Sequence, residues 1–379
     1  MKILVDAIPM TGLLTGIARY LRNLYGAMDR MNQVELFYFN GNRSMDAMPP
    51  LAASDKWQQA TRAVRALPDP VVFAMRAARW LRYEYKLNRQ CRKMAYDVYH
   101  ETAFTPSSIK QCVPQVFTLH DLSLIHFRKC HPKERVWFSD FFLHRRIHEA
   151  SHLIVPSQFI KNEVCDTLLI DESRITAIPE APDPFFYQRS EQQIKETKRK
   201  LSLPDDYLLF VGTLEPRKNI KIIIQALGQM HDKIPLVLTG WEGWGDKPWL
   251  EIAARHNLES YIYKTGHIDE KSLACLYSGA RALVYPSLYE GFGLPIVEAM
   301  ACGCPVICSN TASMPEVAGK AAVLIDPADS DDLAQAIETL VYDAQFRTRL
   351  VQEGFNRAAG FTWEQTAGKT LDLFKAVAK

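Results

Sequence analysis

The sequence has few cysteines, and they are scattered along the chain. Eight occur among 379 residues, and no two form a CxxC pair. A secreted disulfide framework is therefore not indicated, and no zinc-ligand spacing is present. Cys302, Cys304 and Cys308 lie close together in the sequence, and we interpret them as small buried thiols near a helix end.

Long apolar runs and a strong net charge are also missing. No run of 18 apolar residues predicts a membrane-spanning helix. The apolar run in MKILVDAIPM ends at Asp6, which is too short for a signal-peptide core. We therefore expect a reducing cytoplasmic compartment. The net charge of +2 gives no general case for nucleic-acid binding.

Short apolar segments alternate with helical patterns throughout the chain, which predicts the α/β class with parallel sheets. A chain of 379 residues is long enough for two domains with separate cores. We expect two doubly wound, Rossmann-like domains. The predicted bounds are 1–182 for the N-terminal domain, 183–204 for a linker, 205–362 for the C-terminal domain and 363–379 for a final helix.

Two strand–loop–helix units open these domains. In the first, Lys2–Asp6 is a predicted strand, and Gly12 and Gly16 lie in the loop before a helix. Glycine loops of this kind approach phosphates closely, although a single G-x3-G is weak evidence. In the second, the strand at 208–211 leads into Gly212 and a loop that ends in Arg217-Lys218-Asn219.

A third unit, at 283–305, organises the C-terminal half. The sequence LVYPSLYEGFGLPIVEAMACGCP predicts a buried strand, a glycine loop and a helix that begins near Pro295. Backbone N–H groups at such a helix start favour anions. Glu290 in the loop and Glu298 in the expected first helical turn suit sugar hydroxyls, because carboxylates only accept hydrogen bonds. Alternatively, Glu298 complements the helix dipole and Glu290 is solvated.

Arg217 and Lys218 are the candidate diphosphate ligands, because paired cations neutralise phosphates through charge-assisted hydrogen bonds. They could instead be solvated surface charges. No convincing metal site is present. Asp329 and Asp331 have D-x-D spacing, which we interpret as a helix N-cap rather than a metal site.

Residues 62–93 carry nine basic and two acidic residues. Six basic residues of this segment fall within an arc of roughly 140° on a helical wheel, beside an apolar arc: Arg76, Arg79, Arg82, Lys86, Arg89 and Lys93. This pattern suits a helix on an anionic lipid surface, and a helix packed on its own domain is the alternative. The apolar arc comprises Trp80, Tyr83, Leu87, Cys91 and Met94.

Two motifs resemble retaining glycosyltransferases of family 4. The sequence EGFGLPIVEAMACGCPVI at 290–307 is similar to the E-x7-E signature of that family. TLHDLS at 118–123 resembles its His-Asp motif, although a lone histidine at a strand end is more often structural. Thr15-Gly16 departs from the family's usual double glycine, so only Gly16 of that pair matches.

The resemblance implies the GT-B fold, with two Rossmann-like domains facing across a cleft and the C-terminal helix crossing back to the first domain. It also implies roles for individual residues. Glu290 would bind donor-sugar hydroxyls, near the amides of Phe292, Gly293 and Leu294, and Glu298 would bind the ribose. Arg217 and Lys218 would bind the diphosphate, and Gly16 would approach a phosphate. His120 would lie beside the donor sugar, and the backbone of Ile268 would contact the base. Gly212 opens the loop that carries the two cations.

Similar chains often transfer mannose from GDP-mannose to a polyprenyl-diphosphate-linked sugar in O-antigen or surface-polysaccharide synthesis. The resemblance therefore implies a nucleotide-sugar donor, no required metal or cofactor, and a peripheral position on the cytoplasmic face of the bacterial inner membrane. The basic segment agrees with a lipid-linked acceptor. A UDP-sugar transferase, a nucleotide-sugar 2-epimerase and a non-catalytic nucleotide-sugar-binding protein are the alternatives.

Overall fold

The computed structural model describes residues 1–11, 16–50, 67–102, 105–109 and 113–378. It divides into two compact units, one formed by 1–180 with 363–379 and the other by 181–362. The expectations for Gly12, Thr15 and residues 62–66 lie outside the described residues. The linker at 183–204 stays a prediction, and a helix occupies 191–200 within it.

The first unit contains a seven-stranded sheet with the order β3-β2-β1-β4-β5-β6-β7. Every pairing is parallel except that between β2 and β3. The strands are β1 Lys2–Asp6, β2 Glu35–Phe39, β3 Ser44–Met45, β4 Val98–Glu101, β5 Gln115–Thr118, β6 His152–Val155 and β7 Ile175–Ala177.

Helices surround this sheet. They are α1 Gly16–Arg30, α2 Asp69–Lys93, α3 Ser123–His126, α4 Lys133–Arg146, α5 Gln158–Leu168 and, from the end of the chain, α14 Trp363–Val377. Ser157 is a typical N-cap residue before Gln158, and helix α5 begins there, because the Ser157 side chain accepts a hydrogen bond from the Ile160 amide. Helix α4 was missed, since it has no side-chain N-cap and little separation of polar and apolar faces.

Helix α2 places the predicted apolar arc inside its own unit. Tyr83, Leu87 and Cys91 are buried in a cluster with Leu4 and Tyr99, and Trp80 and Met94 pack against it. The prediction that this arc faces lipid is therefore wrong, and its packing is that of an ordinary surface helix. The structure has no helix, within the described residues, that is long and apolar enough to cross a bilayer.

The second unit contains a six-stranded parallel sheet with the order β10-β9-β8-β11-β12-β13. The four inner strands, β8, β9, β11 and β12, are buried throughout and are almost entirely apolar, as expected for parallel strands covered on both faces. They are β8 Leu208–Val211, β9 Leu236–Thr239, β10 Ile262–Gly266, β11 Ala282–Tyr285, β12 Val306–Ser309 and β13 Val323–Ile325.

The helices of this unit are α6 Glu191–Lys200, α7 Ile220–Gln229, α8 Pro248–Arg255, α9 Glu270–Gly279, α10 Leu294–Ala301, α11 Met314–Ala318, α12 Ser330–Tyr342 and α13 Ala344–Ala358. Tryptophan and glycine residues predict a loop over 241–249, and the structure corrects its end, because helix α8 already begins at Pro248. The Asp329 carboxylate accepts hydrogen bonds from the Asp331 and Asp332 amides, which confirms the predicted N-cap.

Candidate active site

The strand order of the second sheet reverses between β8 and β11, which are parallel, hydrogen-bonded neighbours: β9 and β10 lie on one side of β8, and β12 and β13 lie on the far side of β11. Ligands of open α/β sheets bind beyond the carboxyl ends of the strands at such a switch point. The loop after β8 carries Arg217 and Lys218, and the loop after β11 carries Glu290. The topology therefore brings residues more than 70 positions apart to one edge of the sheet.

A 3-10 turn at Pro216–Lys218 positions the two cations. Asn219 follows in the left-handed conformation, with φ of 56°. Its side-chain amide donates to the carbonyls of Pro286 and Pro327. The backbone amide of Leu288 in the opposite loop donates to the Arg217 carbonyl at 2.9 Å. These bonds tie the two loops together before any ligand arrives.

Glu290 joins both cations in one buried cluster. Its Oε1 accepts from Lys218 Nζ at 2.5 Å and from the Tyr285 hydroxyl at 2.9 Å. Its Oε2 accepts from Arg217 Nη1 at 3.1 Å. Arg217 also donates to Glu215 Oε1 at 2.8 Å. The interpretation of Arg217, Lys218 and Glu290 as solvated charges is wrong, since each is at most 8% exposed.

The charges in this cluster determine the protonation of Glu290. Burial by itself would raise the pKa of this carboxyl, but the positive charges of Lys218 and Arg217 outweigh burial and lower it to about 2. Glu290 is therefore ionised across the physiological pH range. The site presents two fixed cations whose partner carboxylate stays negative.

The glycine loop between Glu290 and α10 is held by Ser313, whose hydroxyl donates to the carbonyls of Glu290 and Phe292. Gly293 has φ of 96°, a conformation that side chains disfavour, and Leu294 then begins the helix. The Phe292 side chain is buried against Phe361, so only its backbone is placed to meet a ligand. The first amides of α10 give this edge the character of an anion site.

Glu298 lies within helix α10. It is the fifth residue of α10, one position beyond the first turn expected from the sequence, because the helix begins at Leu294 rather than Pro295. Its Oε2 accepts from the Tyr277 hydroxyl at 2.9 Å, and it is 2% exposed. Burial and the neighbouring Glu298 raise the pKa of Tyr277 far above its ordinary value, so Tyr277 remains a donor.

Gly212 and Ile268 lie at the same edge of the second sheet. A Cβ at Gly240 would come within 2.0 Å of the Gly212 carbonyl, so the loops after β8 and β9 touch through glycines. Ile268 is half-buried directly after β10. Beside it, the rings of Trp241 and His267 stack at 4.3 Å between centroids. The aromatic pair was not singled out from the sequence.

The first unit holds the other two candidates. His120 follows β5, and its Nδ1 lies 2.9 Å from Glu180 Oε1 while its Nε2 lies 2.7 Å from the Thr102 hydroxyl. Gly16 is the first residue of α1, and a Cβ built there would meet no atom of the described residues within 4 Å.

Sequence reasoning missed the neutral and carboxylate partners of these residues, chiefly Glu215, Tyr285, Tyr277, Thr102 and Glu180. Glu215 could have been noticed, because it is two residues from Arg217. The others have partners 5 to 60 residues away that only the sheet topology brings near. Among the described residues, no group of three or more His, Cys, Asp or Glu side chains is arranged to hold a metal ion.

Two family models match the chain in succession. The model described as Glycosyltransferase Family 4 covers residues 14–184, and the model described as Glycosyl transferases group 1 covers residues 191–357. Together they span both units of the structure.

Two relatives from Escherichia coli are similar in sequence. The O-antigen chain mannosyltransferase B is 32% identical over 388 residues, which cover 99% of this chain and 100% of that protein. The serotype-specific mannosyltransferase WbdA is 31% identical over 247 residues, which cover 62% of this chain and 30% of that protein.

The fold is that of solved GT-B enzymes. Sucrose-phosphate synthase from Thermosynechococcus elongatus superposes with a TM-score of 0.74 at 20% identity, covering 99% of this chain and 98% of that one. This likeness shows the architecture alone. Because both family models match and 32% identity extends over nearly the whole length of a relative, the chain belongs to glycosyltransferase family 4 and is a sugar-transferring enzyme.

Proposed function

We propose that this glycosyltransferase moves mannose from GDP-mannose to a polyprenyl-diphosphate-linked saccharide in bacterial O-antigen or surface-polysaccharide synthesis, with retention of anomeric configuration. The observation that carries the proposal is the buried cluster of Arg217, Lys218 and Glu290 at the switch point of the second sheet. The names of the relatives, both mannosyltransferases, support the choice of sugar.

The chemistry requires stabilisation of a leaving diphosphate. As the bond between C1 and the phosphate oxygen breaks, negative charge develops on that oxygen. Arg217 and Lys218 stabilise this charge, and their effect is large because they are fixed and largely removed from water. The acceptor oxygen bonds to C1 on the same face, and its proton passes to the departing phosphate. No metal is needed for these steps.

The remaining residues bind the donor. Glu290 orients both cations and accepts hydrogen bonds from donor-sugar hydroxyls, with the amides of Phe292, Gly293 and Leu294 nearby. Glu298, held by Tyr277, accepts from the ribose hydroxyls. The backbone of Ile268 contacts the base, and Gly212 keeps its loop close to the diphosphate. His120 lies beside the donor sugar, and Gly16 approaches a phosphate.

The acceptor is proposed to be lipid-linked, and the enzyme to act at the cytoplasmic face of the inner membrane. Helix α2 exposes the large apolar side chains of Met75 and Tyr85, at 53% and 70%, on the face that also exposes Arg79, Arg82 and Arg89. Cations with apolar side chains between them suit an anionic lipid surface. This face replaces the buried arc as the lipid-contacting part of segment 62–93.

The reaction itself tests the proposal. The full chain is incubated with GDP-mannose or UDP-sugars and a synthetic polyprenyl-diphosphate-linked saccharide, and products are followed by mass spectrometry and NMR. We expect an α-linked mannose from α-configured GDP-mannose. Transfer from a UDP-sugar, with none from GDP-mannose, would contradict the proposal that GDP-mannose is the donor. Release of an epimerised sugar without an acceptor would favour the 2-epimerase.

Two substitutions test the site. We expect Lys218→Ala and Glu290→Ala each to lower kcat/KM by about a hundredfold or more, as when one preorganised charge-stabilising contact is removed. Lys221→Ala and Glu338→Ala remove the same charges from exposed positions and should leave activity unchanged. Near-normal rates for both site variants would show that the residues are wrongly assigned.

A further inference from the structure

His120 is held at both ring nitrogens by side chains of its own unit. Its Nδ1 lies 2.9 Å from a carboxylate oxygen of Glu180, and its Nε2 lies 2.7 Å from the hydroxyl of Thr102. The Tyr20 ring packs edge-on against the imidazole at 5.0 Å between centroids. The side chain of His120 is 20% exposed, whereas that of Glu180 is only 8% exposed. The imidazole therefore meets solvent while its carboxylate partner does not.

The position of Glu180 is fixed by the backbone of the two residues that precede it. The amide of Ile178 donates to the Val155 carbonyl at 2.8 Å, which extends the edge of the first sheet beyond β7. The carbonyl of Pro179 accepts from the Thr366 hydroxyl of α14 at 2.8 Å. The Glu180 carboxylate therefore reaches His120 from backbone that is hydrogen-bonded to strand β6 and helix α14.

The chemistry of the pair determines which ring nitrogen carries the proton. An ionised carboxylate can only accept, so the Nδ1 of His120 must donate to Glu180. In the neutral imidazole the lone pair then lies on Nε2, where it accepts from the Thr102 hydroxyl. A hydroxyl rotates at little cost, so Thr102 can release this nitrogen to another donor.

We propose that Glu180 is a positioning residue for His120. By holding the proton on Nδ1, it makes Nε2 a hydrogen-bond acceptor for a hydroxyl of the donor sugar, which takes the place of Thr102. This inference rests on the proposed function for the contact between His120 and the sugar. The assignment of the tautomer rests on the first unit alone.

The tautomer is measured without any substrate. In the full chain labelled with 15N-histidine, two-bond nitrogen–proton correlation spectra report which ring nitrogen is protonated, and the His120→Asn variant identifies the signals of His120. We expect the Nδ1–H form at pH 8. Glu180→Ala should convert it to the Nε2–H form, whereas Glu180→Gln should retain Nδ1–H, because an amide oxygen accepts the same bond.

Kinetics then test the link to the sugar. Glu180→Ala should raise the donor KM about tenfold, the loss expected when one hydrogen bond is misplaced, and Glu180→Gln should stay within about threefold of the wild type. Thr102→Val should leave the tautomer and the donor KM nearly unchanged, since the sugar displaces that hydroxyl. A purely structural role would lower the melting temperature of Glu180→Ala without changing the tautomer.

Two results would overturn the inference. An Nε2–H tautomer in the wild type, or the same tautomer in the wild type and Glu180→Ala, would remove the role of Glu180. A tautomer that changes as expected while the donor KM does not would remove the contact of His120 with the sugar. The spectra are recorded without donor. The tautomer result is therefore independent of whether GDP-mannose is the donor.

Discussion

Glu290 is surrounded by charges that make it costly to remove. It bonds to Lys218 and Arg217, and Arg217 also bonds to Glu215, so two cations and two carboxylates share one buried place. Removing one partner of a buried ion pair costs about 3–5 kcal/mol, because the other charge is left uncompensated. Activity and stability are therefore linked at this site. The melting temperature of each Glu290 variant should be measured together with its activity.

A buried histidine makes the stability of the first unit depend on pH. His100 is fully buried, with the Tyr25 hydroxyl 2.5 Å from Nδ1 and the Thr118 hydroxyl 2.8 Å from Nε2. Burial, and to a smaller extent the charge of His120, lower the pKa of His100 to about 3. The folded chain therefore keeps this imidazole neutral where an unfolded chain would protonate it.

We expect the contribution of His100 to the stability of the first unit to decrease as the pH falls, while the raised pKa values of Glu101, about 8, and Asp6, about 6, act in the opposite direction. Below the ordinary histidine value of 6.5 the unfolded state binds a proton that the folded state does not, until the pH approaches about 3. The contribution is thus fully present above pH 6.5 and declines by about 1.4 kcal/mol per pH unit below it. The difference in hydrogen-exchange protection of β4 and β5 between the wild type and His100→Asn, followed from about pH 6.5 to about pH 5, measures this contribution.

His100→Asn should remove the loss of about 1.4 kcal/mol per pH unit from the pH dependence over this interval, whatever its effect on stability at pH 7. His231→Asn is the matched control, because the side chain of His231 is 99% exposed. Parallel curves for the wild type and His100→Asn would contradict the explanation.

The sequence identified the charged members of the site but not their partners. Arg217, Lys218 and Glu290 were found because each follows a predicted strand and the motifs are specific, and their roles stay predictions. The pairing of Glu290 with the two cations could not be foreseen, because it depends on β8 and β11 being neighbours. The bond from Tyr285 to Glu290 could not be foreseen either, because the sequence shows Tyr285 only as the last residue of a buried strand.

At the scale of elements, α2 shows the limit of a helical wheel. The wheel separated a basic arc from an apolar arc but could not say which arc faces the core. Trp80 packs on Phe138 of α4, and Arg76 bonds to Glu134 of the same helix at 3.4 Å. The apolar residues left outside, including Val71 and Leu81, were those without a regular pattern.

We expect the exposed face of α2 to bind anionic vesicles. Changing Arg79, Arg82 and Arg89 to Glu should lower partitioning by about a hundredfold or more, since each cation near an anionic surface contributes about 1 kcal/mol. Arg76 stays unchanged because of its bond to Glu134. The measurement is co-sedimentation with vesicles that contain or lack anionic lipid.

The control reverses three exposed cations of α6, Lys195, Arg199 and Lys200, and should bind vesicles like the wild type. Tyr85→Ser should weaken binding to the same vesicles without a change in charge. Equal binding by the α2 and α6 triple variants would contradict a specific surface on α2.

At the scale of the whole molecule, the fold class followed from the alternation of short apolar runs with helical patterns, and both Rossmann-like sheets confirm it. The helices that were missed, α4, α8 and α13, explain where the sequence alone falls short. Helices α4 and α8 lack a side-chain N-cap, and α13 follows α12 with only Asp343 between them. Only α4 has no local helix-start signal, whereas Pro248 at the start of α8 and the Asp343 carboxylate, which accepts from the Phe346 amide at the start of α13, are helix-start signals that the sequence analysis did not use.

The most direct test of the account is donor binding by the full chain. GDP, GDP-mannose, UDP and ADP are compared by thermal shift, with Lys218→Ala and Lys221→Ala beside the wild type. A ligand at a hundred times its Kd stabilises the native state by about 2.7 kcal/mol. We predict a rise in melting temperature with GDP and GDP-mannose alone, retained by Lys221→Ala and lost by Lys218→Ala. A rise with UDP alone, or an undiminished rise in Lys218→Ala, would contradict the account.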